Sequence, residues 1–155
     1  MPGSGKSTIG KILADRLGWQ FVDLDILIKE KEGKGHDQLI KELGEEKFLE
    51  IEEKQTLALD FNRTVFSPGG SVIYCPAAME KLKRETRIFY LYLPLEAIEK
   101  RLGKNIDSRG IIGLKEKGLT KLFEERNVLY KNFSNQIIDC SGLTEESIIQ
   151  EILQR

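Results

Sequence analysis

Apolar residues along this chain fall into two alternating rhythms. Short runs rich in β-branched and aromatic residues, WQFV at 19–22, TVFS at 64–67, RIFYLYL at 87–93 and QIID at 136–139, have the length and composition of strands. Between them apolar positions return every three or four residues over about 5–17, 36–60 with a break at Gly44, 76–84, 94–102, 114–131 and 144–154, the spacing of amphipathic helices. Strand and helix in alternation predict an α/β fold, a parallel sheet covered by helices on both faces. One domain over 1–155 is expected, without internal repeats. The stretch GKNIDSRGIIG at 103–113 carries glycine at both ends and reads as a hinged flap, so a lid is expected over about 103–118.

Composition narrows the function. The 155 residues include 24 basic and 25 acidic ones, for a net charge of −1, with 32% charged and 40% hydrophobic residues. That is ordinary globular protein, and nothing in it favours nucleic acid as a partner. The longest apolar stretch, at 88–95, is far shorter than the roughly 20 residues of a membrane span. No charged-then-apolar leader stands before the first helix, so a cytoplasmic monomer acting on a small molecule is expected. Cys75 and Cys140 are far apart with no C-x-x-C pair, and read as buried or incidental thiols. His36, the single histidine, stands beside Asp37 at a helix start and is expected as an exposed end residue.

The chemistry begins at residue 1. MPGSGKST holds most of the phosphate-loop pattern G-x-x-x-x-G-K followed by Ser or Thr. Gly3, Ser4, Gly5, Lys6, Ser7 and Thr8 form the nucleotide-binding turn and run into IGKILADRLG, an apolar-faced helix ended by Gly18. Glycines let backbone N–H groups converge on phosphate at the helix N-terminus, Lys6 reaches the outer phosphates, and the Ser7 hydroxyl is placed for Mg²⁺. ATP and Mg²⁺ are therefore the expected cofactors. The first glycine of the pattern, and the strand from which such a loop hangs, would both precede Met1. The expectation is a natural start upstream and a sheet that lacks its first strand here.

FVDLDILI then places Asp23 and Asp25 at the C-terminal end of the next strand, the edge where open parallel sheets bind ligands. Two residues apart on an extended segment, both carboxylates can face one site. One can hold Mg²⁺ through water while the other takes a proton from a substrate hydroxyl; the plainer alternative is a solvated helix cap with Asp25 as N-cap. Further along, Leu119, Leu122, Phe123 and Tyr130 form an apolar stripe at helical spacing, and Arg126 sits inside it. An arginine there wants an anion, unless it snorkels or pairs with a local acid.

With GSGKST, FVDLDILIKEKEGK, LGEEKFLEIEE, SPGGS and ERNVLY on the page, the chain resembles the shikimate kinases nearly end to end. These P-loop enzymes of aromatic amino acid biosynthesis move the γ-phosphate of ATP to a hydroxyl of a cyclic polyol acid. The resemblance implies that Asp25 binds the acceptor hydroxyls and serves as general base, and that Asp23 and Ser7 form the magnesium environment. It implies that Gly69 and Gly70 line the acceptor pocket, that Arg126 clamps the acceptor carboxylate, that Arg109 reaches the transferring phosphate from the lid, and that Arg101 packs on adenine.

Four positions depart from the family pattern. Leu49 follows Phe48 where the family has a second carboxylate-clamping arginine, Pro68 precedes the glycine pair, Ser71 replaces its third glycine, and Gly110 follows Arg109 in place of proline. The changes spare the nucleotide half and concentrate on the acceptor half. The expectation is a kinase of this architecture acting on shikimate or a related, less acidic hydroxyl compound. A nucleoside monophosphate kinase and a non-catalytic nucleotide-binding protein descended from a kinase are the alternatives.

Overall fold

Glycine at each end sets the limits of the first helix. Gly5, at φ 92°, turns the phosphate loop into α1 (Lys6–Leu17), and Gly18, at φ 63°, ends it with its N–H on the Ala14 and Asp15 carbonyls. Ile9, Gly10, Leu13 and Ala14 form the buried face of α1. Gly10 is there for close approach, since a Cβ on it would lie 2.7 Å from the Phe21 ring. In this computed structural model, which describes residues 1–103, 106 and 110–154, the chain continues through β1 (Gln20–Asp23), α2 (Leu24–Glu32), α3 (His36–Leu43), α4 (Glu45–Leu57) and β2 (Thr64–Ser67). A 3₁₀ turn (Val72–Tyr74) leads into α5 (Pro76–Glu85), then β3 (Phe89–Tyr92), α6 (Leu95–Leu102), α7 (Leu114–Phe133), β4 (Gln136–Asp139) and α8 (Glu145–Leu153).

All pairing is parallel, as the alternation requires. β1 lies beside β2 from Gln20 opposite Thr64 to Asp23 opposite Ser67, and β3 beside β4 from Phe89 opposite Gln136 to Tyr92 opposite Asp139. Two differences from the sequence pattern have clear causes. The run after Asp23 continues as helix α2 rather than strand, because the Asp23 side chain accepts from the Asp25 and Ile26 amides and caps it. α7 is broken at Gly118, which takes φ 73° and ψ 166°, a conformation open to glycine and not to a helix interior.

The core is in two parts. Ile9 and Leu13 of α1 pack with Leu91, Ile98, Ile138, Ile149 and Phe123. Leu24 and Ile28 of α2 pack with Leu39, Phe48, Val72, Met79 and Leu82. Among the described residues no ladder joins β2 to β3. Between these two strands runs a cavity of about 810 Å³, lined by Val65 and Phe66 from one side, Phe89 and Leu91 from the other, and Ile9 and Leu13 beneath. The cavity lies where a strand pairing with both β2 and β3 would run. No helix among the described residues is long and apolar enough to cross a membrane.

A chain carrying about five extra apolar residues before Met1, ending in glycine, should fill this slot. Each buried Val- or Ile-sized side chain contributes about 1.5 to 3 kcal/mol, so the expected rise in Tm is about 5 °C or more. Equal melting temperatures for the extended and unextended chains would show that the slot is not an open strand position.

Candidate active site

The site gathers where β1 and β2 end. Asp23, the last residue of β1, is buried and uses both oxygens: Oδ1 caps α2, and Oδ2 accepts from the Ser7 hydroxyl at 2.5 Å. Ser7 and Asp23 therefore present two hard oxygen ligands side by side at the mouth of the phosphate loop. Mg²⁺ keeps most of its shell as water and phosphate oxygen and needs only one or two protein groups, so this pair fits it. Asp25 stands in the first turn of α2, not on an extended segment as its spacing from Asp23 predicts, and Asp23 rather than Asp25 is the cap. Their convergence comes from the strand-to-helix turn.

Lys6 donates to the Met1 carbonyl at 3.2 Å. Burial holds its pKa below the ordinary lysine value and Arg126 adds to that, while Asp25 and Asp23 oppose it. The Asp25 carboxyl is shifted upward, chiefly by desolvation among the crowded groups of the cleft, although its side chain is open to solvent on one side, and further by Asp23, with His36 and Lys6 opposing. A carboxylate held above its usual range is a better proton acceptor. The Ser4 hydroxyl is buried in the loop with no partner. Thr8 is exposed at the start of α1, and Arg101, also exposed, donates through Nη1 to the Gly3 carbonyl at 3.2 Å, beside the loop. Arg109 lies outside the described residues.

The acceptor side is built on the backbone after β2. A Cβ added at Gly69 would fall 2.1 Å from Glu52 Oε1 and 3.1 Å from Asp25 Oδ1, and one at Gly70 would fall 2.9 Å from Arg126 Nη1. These glycines leave room between an acidic wall and a basic one. Arg126 is 1% exposed, as the apolar stripe on α7 leads one to expect. Its Nη2 donates to the Ile112 carbonyl at 2.9 Å, its guanidinium lies 5.3 Å from the Tyr74 ring centre, and its Nε has no partner. The alternative that it snorkels to water is excluded by that burial, and among the described residues it makes no salt bridge. Tyr130 closes the floor, its hydroxyl donating to the Gly70 carbonyl at 2.7 Å.

Two further residues complete this wall, beyond those expected from the sequence. Glu52 is fully buried on α4, accepts from the Ser71 hydroxyl at 2.5 Å through Oε2, and leaves Oε1 unpaired. Its signal was available, for Glu52 lies one helical turn after Phe48 and one before Thr56 on the buried face, a charge in a buried stripe like Arg126. Ser71, which replaces the third glycine of the family pattern, turns its hydroxyl into this bond. The expectation that His36 is an exposed end residue is corrected. Its side chain is only 16% exposed and Nε2 lies 3.7 Å from Asp25 Oδ1, because the edge of its ring packs on Phe48.

Comparison with known proteins decides the family. The family model described as shikimate kinase matches residues 2–155. The chain belongs to the shikimate kinase family. It is 35% identical to a shikimate kinase of Persephonella marina, over 99% of this chain and 93% of that one. A bifunctional shikimate kinase/3-dehydroquinate synthase of Thermotoga maritima is 35% identical over 94% of this chain, which spans 29% of that longer protein. Among solved structures, the shikimate kinase of Acinetobacter baumannii in complex with shikimate superposes with TM-score 0.85 at 28% identity, covering 98% of this chain and 86% of that one. The fold is thus that of a P-loop kinase, and the shikimate kinase family makes this chain a small-molecule kinase that uses ATP.

Burial pushes the Glu52 pKa up from 4.5 to about 7, against the Ser71 hydrogen bond. The folded state thus holds this proton more tightly than the unfolded chain, so the contribution to stability is full below about 4.5 and is lost as pH rises through about 7. Urea melts should show wild type losing stability relative to Glu52→Gln by up to about 1.4 kcal/mol per pH unit between about pH 5 and 7. Parallel pH profiles for the two proteins would contradict this.

Proposed function

We propose that this chain transfers the γ-phosphate of ATP to a hydroxyl of shikimate, with Mg²⁺, as a cytoplasmic monomer in which one domain carries a lid at about 103–118. The observation that carries the proposal is the placing of Asp25 and Arg126 on opposite sides of the Gly69–Gly70 backbone, a carboxylate for hydroxyls and a desolvated guanidinium for a carboxylate. The shikimate kinases that this chain resembles over nearly its full length support the choice of acceptor.

In this reading the chain's own groups do mostly positioning and charge neutralisation. ATP supplies the phosphoryl group, and Mg²⁺ supplies charge neutralisation beside it. The Gly3–Thr8 backbone cradles the phosphates, Lys6 meets the outer ones, and Ser7 with Asp23 holds the metal. Asp25 accepts the proton of the attacking hydroxyl at its carboxylate. Gly69 and Gly70 admit the ring, and Arg126 binds the carboxylate in a charge-assisted pair. Arg101 flanks the nucleotide, and Arg109 reaches the phosphoryl group from the lid.

Leu49 does not exclude shikimate in this account. It is half-buried against the second core cluster, and its carbonyl accepts from the Cys75 thiol. One of the two Glu52 oxygens that could orient a guanidinium at position 49 is taken by the Ser71 hydroxyl. One clamping arginine fewer should raise the acceptor KM without removing activity, since a hydrogen bond to a charged group contributes about 1.5 to 3 kcal/mol.

The test is a coupled assay of ADP formation with ATP and shikimate, with the phosphorylated product identified directly. ADP without a phosphorylated acceptor, or no turnover, would favour the nucleotide-binding alternative. Asp25→Asn should lower kcat by about a hundred- to ten-thousand-fold while the KM for ATP stays near wild type, and Lys6→Ala should abolish transfer in a folded protein. If Asp25→Asn weakens ATP instead and spares kcat, the roles of the two aspartates are exchanged. Leu49→Arg should change kcat/KM for shikimate by less than about tenfold, because Ser71 already takes one of the two Glu52 oxygens; a larger rise would make position 49 the dominant acceptor determinant.

A further inference from the structure

His36 is a polar side chain beside Asp25 that the family reading leaves without a task. Its Nε2 is sealed from solvent with no hydrogen-bond partner, 3.7 Å from Asp25 Oδ1. That separation is too long for a hydrogen bond. The ring cannot swing freely, since its edge packs on Phe48 with centroids 4.7 Å apart. From above, the end of the flap rests on the same residue. Gly110 stands at φ 58°, and a Cβ there would lie 2.6 Å from the Asp37 nitrogen and 2.9 Å from the His36 Cβ. The chain just beyond is pinned by the Gly113 N–H donating to Glu45 Oε1 at 3.0 Å and by Arg126 on the Ile112 carbonyl.

A buried imidazole nitrogen left unpaired is costly and calls for a partner. The Asp25 side chain is 58% exposed, so a ligand in the cleft reaches that carboxylate directly, and it meets the sealed Nε2 only by parting the two groups. A hydroxyl oxygen about 2.8 Å from both Nε2 and Asp25 Oδ1 closes a triangle with an angle of roughly 80° at that oxygen, open enough for two hydrogen bonds. A hydroxyl suits either tautomer of the ring, because it both donates and accepts.

We infer that His36 is an acceptor-binding residue, which together with Asp25 holds the hydroxyl next to the one phosphorylated, so that the site selects a vicinal diol. This rests on the proposed function for the identity of the acceptor. The attacking hydroxyl keeps the free Asp25 oxygen as its proton acceptor, and His36 leaves it undisturbed.

His36 is the only histidine, so its side-chain ¹⁵N resonances report on this one site without a mutation. Wild type with ADP is titrated with shikimate, and with the analogue lacking the hydroxyl adjacent to the phosphorylated one, while calorimetry records binding. Shikimate should move the Nε2 resonance, and the deoxy analogue should bind about tenfold or more weakly and leave it in place. In kinetics, His36→Leu should raise the shikimate KM about five- to tenfold with kcat and the KM for ATP nearly unchanged. It should also discriminate little between shikimate and the analogue, and His36→Gln, which keeps a donor, should recover part of the loss. An unmoved Nε2 resonance at saturating shikimate, or an equal penalty for the missing hydroxyl in wild type and His36→Leu, would overturn the inference. Failure of the proposed function looks different: wild type then neither binds nor phosphorylates shikimate, and the inference falls with it.

Discussion

The two oxygens of Asp23 hold this site together. One caps the helix that carries Asp25, and the other takes the Ser7 hydroxyl of the phosphate loop. A single buried carboxylate thus couples the position of the phosphate loop to the position of Asp25, the proposed proton acceptor. Both bonds act in a partly dry environment, where an unmade hydrogen bond is costly and a made one is geometrically strict. In the proposed function the distance between phosphate and acceptor hydroxyl would follow from this turn of chain, and phosphoryl transfer depends on that distance above all.

Opposite it, the acceptor wall collects groups whose hydrogen bonding is incomplete within the protein. Arg126 Nε and Glu52 Oε1 beside the Gly69–Gly70 backbone, and His36 Nε2 beside Asp25, are buried without a hydrogen-bond partner. Three unsatisfied groups close together would be a defect in a core and are a reason for a ligand in a cleft. The departures from the family pattern read consistently in this light. Ser71 satisfies one oxygen of Glu52, Leu49 joins the apolar packing beside Phe48, and Gly110 lets the end of the flap lie on His36.

Much of this was readable from the chain alone, where the signal was periodic or covalent in nature. The strands at 64–67 and 136–139 appear as the alternation indicates. α2 was not readable, because DLDILI has the apolar density of a strand and only the Asp23 cap turns it into a helix. Arg126 could be found since a charge interrupts an apolar stripe, and the same argument applied to Glu52 would have found it too. His36 could not, since its burial depends on Phe48 and Gly110 meeting it from distant parts of the chain. Contacts of that kind leave no spacing in the sequence.

The account's central claim is that the acceptor lies between Asp25 and Arg126, across the glycine backbone. A crystal structure of the chain with ADP and shikimate tests it most directly. The account predicts the acceptor hydroxyls at Asp25 and the carboxylate within hydrogen-bond distance of the Arg126 guanidinium, which then shares or releases the Ile112 carbonyl. A carboxylate seated away from Arg126, or hydroxyls turned away from Asp25, would contradict it.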